Sequence, residues 1–198
     1  MIKNIIFDNG GVIVKSSSRF FIPLFKKYTN KSVPTMMQSY WEMAKRLDTG
    51  YESEKSFYKR FSNHMQLTCH WSTIHKIRYS IARLIPGTLA MVRKLQKHYQ
   101  LYMLNNEYKE FMQFLRKKYG YFKYFKGIVT SYQAHCRKPD AKIYRMLLKK
   151  YHLKPHESVF IDDKKENVHT AKMLGLHAIH FKNIRQLKKD LQKLGVML

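Results

Sequence analysis

The sequence predicts an α/β protein whose parallel sheet is interrupted, near the start of the chain, by a small helical segment. In the second half, short apolar runs alternate with amphipathic helical patterns, as in sheets that are covered by helices on both faces. Residues 20–85 instead carry apolar residues at three- and four-residue spacing, with no run typical of a strand. We therefore expect an α/β core of residues 1–15 and 86–198 and a helical cap of residues 16–85.

The individual elements follow from these patterns in chain order. Residues 3–8 form an apolar run that ends in an acid and enters a turn at Gly10 and Gly11, which predicts a buried strand. Pro86 and Gly87 end the helical region. Beyond them the patterns predict helices at 88–98, 107–118, 139–152, 164–174 and 184–194, and strands at 100–104, 127–130, 158–162 and 178–181.

Size and composition exclude several classes of protein. A chain of 198 residues with 44% hydrophobic residues fits one domain, or one core with a modest insertion. Cys69 and Cys136 are too few and too isolated for a disulfide framework or a zinc site. An acid at position 8 interrupts what would be a signal peptide, and no apolar run is long enough to span a bilayer. We expect a soluble, cytoplasmic protein without a membrane partner.

The charge is strongly basic, with 38 Lys and Arg against 13 Asp and Glu and a formal net charge of +25. Such a field attracts polyanions and speeds the arrival of phosphorylated substrates. The basic residues recur along the whole chain, however, and many lie opposite apolar residues at helical spacing, which indicates a solvated surface. A dedicated nucleic-acid site is therefore the weaker interpretation.

Polar residues stand where several predicted strands end: Asp8, Asn105 and the pair Asp162 and Asp163. Ligands of parallel sheets bind beyond the carboxyl ends of the strands, so these side chains are expected to share one cleft. Crowded acids repel unless a cation lies between them, and Mg²⁺ prefers oxygen ligands. Lys138 could neutralise the remaining anions. This set suits phosphoryl transfer, in which an Asp can attack phosphorus.

Each of these signals also has an ordinary structural explanation. An Asp at a strand end often stabilises a turn, and Asp163 would cap the helix predicted to begin at residue 164. Lys138, taken alone, is most simply explained as a surface lysine. The combination of these residues, in this order on an alternating strand and helix scaffold, is what favours a catalytic site.

Four segments resemble the motifs of the haloacid dehalogenase (HAD) superfamily of hydrolases. The resemblance covers essentially the whole chain and implies a Rossmann-like core with a helical cap. The Asp-x-Gly-x-Val start is similar to that of the capped sugar-1-phosphate phosphatases within the haloacid dehalogenase-like subgroup. The four segments are residues 7–13 (Phe-Asp-Asn-Gly-Gly-Val-Ile), 101–106, 137–144 and 159–168, the last continuing to Gly175.

The resemblance implies a role for each residue that matches a motif. Asp8 would be the nucleophile and a Mg²⁺ ligand, the backbone carbonyl of Gly10 a second ligand, and Asp163 a third, with Asp162 as a ligand or a supporting acid. Lys138 would steady the nucleophile and the phosphoryl oxygens. Asn105 and Asn106 would bind substrate, and Asn167 would support the metal site.

Two positions depart from the family pattern. Most HAD phosphatases carry an acid where this chain has Gly10, and general acid–base catalysis typically supplies about 10²–10⁴-fold in rate. Asn105 stands where the family has Ser or Thr, although its amide can still donate to a phosphoryl oxygen. A cap histidine, His64 or His70, could replace the missing acid, but a structural explanation of both is simpler.

The sequence therefore leaves three functions open. The first is a Mg²⁺-dependent phosphatase of a small phosphorylated metabolite, such as a sugar phosphate, that forms an aspartyl-phosphate on Asp8. The second is a catalytically weak HAD-like protein that binds a phosphorylated or polyanionic partner such as RNA, and the third is a scaffold that only retains the acids. In the first case substrate selectivity would come from cap side chains, with Tyr40, Trp41, Lys45, Arg46 and Tyr51 as candidates.

Overall fold

A computed structural model describes residues 1–198 and contains one five-stranded sheet in the order β3-β2-β1-β4-β5. All four pairs of neighbouring strands are parallel, which confirms the predicted α/β class. The strand order changes direction between β1 and β4, and the crevice beyond such a point is where open parallel sheets bind ligands. The strands are β1 (Asn4–Phe7), β2 (Gln100–Asn105), β3 (Gly127–Thr130), β4 (Ser158–Asp162) and β5 (His177–His180).

Residues 16–85, called the insertion below, contain helices and no strand, as their spacing predicts. The two chain segments that lead into and out of it run side by side, because Lys15 N donates to Arg83 O at 2.8 Å and Ile85 N donates to Ile13 O at 2.8 Å. The helices of the insertion are α1 (Ser18–Phe21), a 3₁₀ helix (Ile22–Tyr28), α2 (Val33–Met43), α3 (Lys45–Asp48), α4 (Glu54–His64) and α5 (Trp71–Ile81).

Helices after the insertion lie between the strands, close to the predicted positions. The helix predicted from Pro139 begins only at Ala141, because Asp140 caps it by accepting a hydrogen bond from Lys142 N at 2.8 Å. The sequence patterns missed the four-residue α8 and two 3₁₀ helices, which are too short to show a period. These helices are α6 (Thr88–Leu95), α7 (Lys109–Lys118), α8 (Ser131–Ala134), α9 (Ala141–Lys150), α10 (Lys165–Met173) and α11 (Ile184–Lys193), with 3₁₀ helices at Gly120–Tyr124 and Pro155–Glu157.

The hydrophobic core has one cluster on each face of the sheet. Ile5 and Phe7 belong to the larger cluster and Ile6 to the smaller one, as the alternation of side chains along a strand requires. The larger cluster continues without a break into the insertion, where it includes Phe21 and Phe57. The insertion is thus held against the core by shared apolar packing, and its status as a separate cap domain stays a prediction. None of the helices has the length and apolarity needed to cross a bilayer.

Candidate active site

Three acids and one lysine lie together beyond the ends of β1 and β4. Phe7 pairs with Ile161, so Asp8 and Asp162 leave adjacent strands at the same level. The carboxylate oxygens of Asp8, Asp162 and Asp163 lie within 4.8 Å of one another, and all three residues are buried. The arrangement follows directly from the parallel register of the two strands.

Lys138 connects two of these acids. Its Nζ lies 2.7 Å from Asp8 Oδ1 and 2.7 Å from Asp162 Oδ2, and it also donates to Leu104 O at 2.7 Å. The side chain is only 1% exposed, so three oxygens replace water around the ammonium group. Burial lowers the pKa of Lys138, but the two neighbouring carboxylates outweigh it and raise that pKa above its usual value. The lysine is therefore a fixed positive charge beside Asp8.

Asn106 determines where Lys138 sits. Its Oδ1 accepts from Lys138 N at 2.9 Å, and its Nδ2 donates to Lys138 O at 2.8 Å. Asn106 also lines the cleft, as expected for a substrate-binding residue, but both ends of its amide already pair with the backbone of residue 138. In this structure its side chain holds the lysine-bearing loop against the end of β2.

The two adjacent acids at the end of β4 have different surroundings. Asp162 is fully paired: besides Lys138, it accepts from Lys164 N at 2.8 Å and from Asn167 Nδ2 at 3.0 Å. Asp163 Oδ1 is buried and has no hydrogen-bond partner, while its Oδ2 lies 3.5 Å from the guanidinium of Arg19. Asp162 thus fixes the lysine and the start of α10, whereas Asp163 has a free ligand atom.

Gly11 is what allows Asp163 to come this close to the loop after β1. Its φ is +92°, a conformation that side chains rarely adopt, and a Cβ atom at this position would lie 2.1 Å from Asp163 Oδ2. Any other residue would push the carboxylate away. The close approach of Asp163 therefore explains why position 11 is a glycine.

The charges of the site fit a small divalent cation. Burial raises the pKa of Asp8 to about 8; Lys138 opposes this shift, and Asp162 and Asp163 add to it. Burial and the charge of Asp162 likewise raise the pKa of Asp163. Crowded, buried carboxylates bind either protons or a cation. Together with the unpaired Asp163 Oδ1, this oxygen-rich set matches the ligand preference of Mg²⁺.

Asp8, Gly10 and Lys138 form the floor of a small polar cleft between the core and the insertion. The volume of the cleft that the centre of a water molecule can reach is about 60 Å³. Only two of its 15 lining residues, Tyr40 and Trp41, are hydrophobic. Asn105 lies on the floor with its Nδ2 3.1 Å from Met112 Sδ, a weak acceptor that leaves the amide without a strong partner. The other lining residues are Asp8, Gly10, Ser16, Ser17, Ser18, Asp48, Arg78, Asn106, Glu107, Lys138, Lys164 and Asn167.

Comparison with known proteins decides the family. A family profile described as haloacid dehalogenase-like hydrolase matches residues 2–175. The chain belongs to the HAD-like hydrolase family. The resemblance of its motifs to this superfamily is thereby confirmed.

The relatives include phosphatases, one of which matches over nearly the full length. A D-ribitol-5-phosphate phosphatase from Bacteroides thetaiotaomicron is 26% identical over 96% of this chain and 97% of its own length. A glyceraldehyde 3-phosphate phosphatase from Pyrococcus furiosus is 25% identical over 60% of this chain and 50% of its own length. This HAD-like hydrolase therefore has proteins named as phosphatases among its relatives.

Solved structures show the same fold. A predicted HAD-like family hydrolase from Porphyromonas gingivalis superposes with a TM-score of 0.79 at 23% identity, covering 100% of both chains. A HAD family enzyme from Bacteroides thetaiotaomicron, solved with magnesium and inorganic phosphate, superposes with a TM-score of 0.72 at 23% identity over 93% of this chain and 96% of that one.

The insertion closes this HAD site with a buried ion pair that the sequence patterns did not indicate. The guanidinium of Arg78, on α5, lies 2.7 and 2.8 Å from the two carboxylate oxygens of Glu107, which follows Asn106 at the end of β2. It also donates to Tyr108 Oη at 3.0 Å and to Ser16 O at 2.8 Å. In a sequence, an Arg at helical spacing usually indicates a solvated face. The buried position of Arg78 is therefore evident only from its long-range partners.

A second contact between insertion and core is centred on Trp41. Arg137 Nη1 lies 2.9 Å from Asp48 Oδ2, Arg137 Nη2 donates to Trp41 O at 2.8 Å, and Lys164 Nζ lies 3.3 Å from the centre of the Trp41 ring. Arg137 and Lys164 precede and follow motif residues of the core. This contact places Trp41 directly over one end of the cleft.

Several candidates in the insertion lie elsewhere. Tyr40 and Trp41 line the cleft, whereas Lys45, Arg46 and Tyr51 do not. The idea that His64 or His70 replaces the missing acid is wrong for this structure, because both are exposed and neither lines the cleft. His70 instead caps α5, its Nδ1 accepting from Ser72 N at 3.4 Å.

Proposed function

We propose that this HAD-like hydrolase is a Mg²⁺-dependent phosphatase of a small phosphorylated metabolite, with Asp8 as the nucleophile. The observation that carries the proposal is the Asp8 carboxylate, which is fixed by Lys138 at 2.7 Å on the floor of a polar cleft, beside the unpaired oxygen of Asp163. The phosphatase relatives, and the similar fold that was solved with magnesium and phosphate, support the same chemistry.

Each residue of the site has a distinct role in the proposed reaction. Asp8, Asp163 and the carbonyl of Gly10 would hold the cation, which when bound offsets the negative charge of the phosphoryl group. Lys138 keeps one Asp8 oxygen in a fixed position and adds a second positive charge beside it. The other Asp8 oxygen attacks phosphorus, the ester P–O bond breaks, and the aspartyl-phosphate that remains is hydrolysed by water.

The cleft favours a substrate that carries hydroxyl groups. Its wall offers the carboxylates of Asp48 and Glu107 and a run of three serines, Ser16 to Ser18. Such groups bind the hydroxyls of a short polyol or sugar through hydrogen bonds, whereas an apolar leaving group would contact only two hydrophobic residues. A polyol or sugar phosphate is also the class of substrate of the ribitol phosphatase relative.

A panel of polyol and sugar phosphates, assayed with MgCl₂ and with EDTA, tests the proposal. We expect phosphate release that needs Mg²⁺ and that falls by about 10³-fold or more in Asp8→Asn, which loses the nucleophile. Asp140→Asn is the matched control, since Asp140 is an exposed acid that caps α9 outside the cleft. Turnover without a divalent ion, or a fully active Asp8→Asn variant, would contradict the proposal.

The covalent intermediate needs its own experiment. Acid quenching during turnover of a ³²P-labelled substrate should leave label on the wild-type protein and none on Asp8→Asn. Treatment with hydroxylamine should release the label, because an acyl phosphate is cleaved by this nucleophile whereas a phosphoserine is not. Label that survives hydroxylamine would assign the attack to another residue.

A further inference from the structure

The cleft contains a buried hydroxyl group that has no partner in the protein. Ser16 is 2% exposed, and its Oγ makes no hydrogen bond, although the residue lines the same cleft as Asp8 and Gly10. Leaving a buried polar group unpaired is costly, so most such groups have a partner. The hydroxyl borders the space that a ligand would enter, and this makes a bound molecule its natural partner.

The position of Ser16 is fixed from two sides. Its backbone N donates to Val14 O at 2.8 Å, and its carbonyl accepts from Arg78 Nη1 at 2.8 Å, so the buried ion pair of the insertion holds this residue. A Cβ atom built on Gly10 would lie 3.1 Å from Ser16 Oγ. The hydroxyl therefore adjoins the backbone of residue 10, two residues after the nucleophile.

The surroundings indicate which part of a phosphate ester would reach Ser16. Lys138, Asn105 and Asp163 surround Asp8 from the core, where the phosphoryl oxygens must lie. Ser16 stands at the junction with the insertion, next to the part of the cleft lined by Ser17, Ser18, Tyr40 and Arg78. The carbon chain of the substrate must occupy that part, because the floor at Asp8 is taken by the phosphoryl group. The ester oxygen lies between the two.

We propose that the Ser16 hydroxyl binds the ester oxygen of the substrate and donates a hydrogen bond to it as the leaving group departs. This inference rests on the proposed phosphatase function. One Asp8 oxygen forms a bond to phosphorus, the P–O ester bond breaks, and its electron pair stays on the ester oxygen. Water supplies the proton that converts this oxygen to an alcohol, and Ser16 keeps its own proton throughout. Its contribution is to stabilise the charge that develops on the oxygen.

The dependence on leaving group tests this role. An alkyl phosphate leaves as a strongly basic alkoxide and needs the hydrogen bond, whereas p-nitrophenyl phosphate leaves as a stable phenolate and hardly needs it. In rapid-quench single-turnover assays, Ser16→Ala should slow cleavage of the best alkyl substrate by about 10- to 100-fold, the range expected for a hydrogen bond to a charged group. Cleavage of p-nitrophenyl phosphate should change by less than about 3-fold.

Two further variants separate this role from a structural one. Ser62→Ala is the matched control, since Ser62 also has a buried, unpaired hydroxyl but lies in α4 outside the cleft, and it should leave the ratio of the two rates unchanged. Ser16→Cys keeps the size of the side chain with a weaker donor, and it should lose the alkyl substrate selectively, as alanine does.

The outcomes distinguish failure of this inference from failure of the proposed function. If Ser16→Ala slows both substrates equally, or slows neither, Ser16 does not bind the leaving group and the inference is overturned while the phosphatase function stands. If wild-type protein cleaves no phosphate ester, or if Asp8→Asn cleaves them as fast, the proposed function fails and this inference falls with it.

Discussion

The two sides of the cleft differ in how their charges are balanced. On the core side, two of the three buried acids share one lysine, and the third, Asp163, keeps an oxygen without a partner. On the insertion side, Arg78 and Glu107 form a one-to-one pair whose groups have further hydrogen bonds to Tyr108 and Ser16. The core side is therefore prepared to receive positive charge, while the Arg78–Glu107 pair is fully paired and holds two parts of the chain together.

This difference in charge balance indicates separate roles for the two sides of the cleft, one in catalysis and one in holding the insertion to the core. An underpaired acidic cluster loses stability in exchange for affinity toward a cation, as functional sites commonly do. A fully paired buried ion pair gains little net stability over apolar residues but is costly to break on one side only. Substitutions on the core side should therefore act mainly on turnover, and substitutions of the groups that join the insertion to the core, Arg78 and Trp41, mainly on stability and substrate binding.

The largest effect on turnover among the supporting residues is expected at Lys138. Lys138→Met removes the only side chain that contacts both Asp8 and Asp162. We expect kcat/KM to fall by about 10²–10³-fold, the range seen when one preorganised charge-stabilising donor is removed. Lys142→Met, which alters an exposed lysine on α9, should leave the steady-state kinetics unchanged. A Lys138→Met enzyme with near-normal turnover would place the chemistry elsewhere in the cleft.

The largest effect on stability is expected at Arg78, which is 3% exposed. Arg78→Met leaves Glu107 buried without its partner, and breaking a buried pair in this way costs about 3–5 kcal/mol of unfolding free energy. The double variant Arg78→Met/Glu107→Leu should recover much of the loss, since it removes both charges. Urea unfolding of the wild type, Arg78→Met, Glu107→Leu and the double variant measures the coupling. Additive losses in the double variant would show that the pair itself contributes little.

The core side could be predicted from the sequence because the topology of a parallel sheet fixes its geometry. Asp8 and Asp162 each end an apolar run, and parallel strands bring such ends to one edge of the sheet whatever the loops do. The sequence suggested Lys138 only as a charge that could neutralise the acids, and its contacts with both Asp8 and Asp162 needed coordinates. The difference between Asp162 and Asp163 needed coordinates, because adjacent acids look alike until their hydrogen bonds are known.

The insertion side could not be predicted for a physical reason. Its helices were recognisable from their spacing, but the contacts of Arg78 with Glu107 and of Trp41 with Lys164 depend on how these helices pack against the core, which no strand register fixes. Helical periodicity gives the face that a residue occupies and not the partner that this face meets. Ser16 was invisible for the same reason, since one serine among three in a row carries no sequence signal.

A smaller, pH-dependent effect is expected at Glu107. Burial raises the pKa of Glu107 to about 7, against the opposing charge of Arg78. Its folded-state pKa thus exceeds the unfolded value of about 4.5, so its contribution to stability is full below pH 4.5 and declines as the pH rises to 7. Relative to Glu107→Gln, the wild type should lose up to about 3 kcal/mol across this interval.

Denaturant unfolding of both proteins between pH 4.5 and 8 measures this difference. As the pH rises, the stability of the wild type should fall relative to that of Glu107→Gln, because glutamine has no proton to lose. If the stability advantage of the wild type instead grew with pH, the attraction of Arg78 would outweigh the burial of the carboxylate, and the pKa of Glu107 would lie below its ordinary value.

The smallest effect is expected at Trp41, whose ring contacts Lys164 at 3.3 Å from its centre at the edge of the cleft. A cation–π contact of this kind is worth about 0.5–2 kcal/mol, and its loss would free the lysine to leave the substrate-binding wall. Trp41→Ala should therefore raise KM by about 3- to 10-fold and lower kcat less, whereas Trp41→Phe should keep most of the affinity. Steady-state kinetics on the best substrate separate the two parameters. A fall in kcat with an unchanged KM would mean that this contact acts on the chemical step, and the division of labour between the two sides of the cleft would then be wrong.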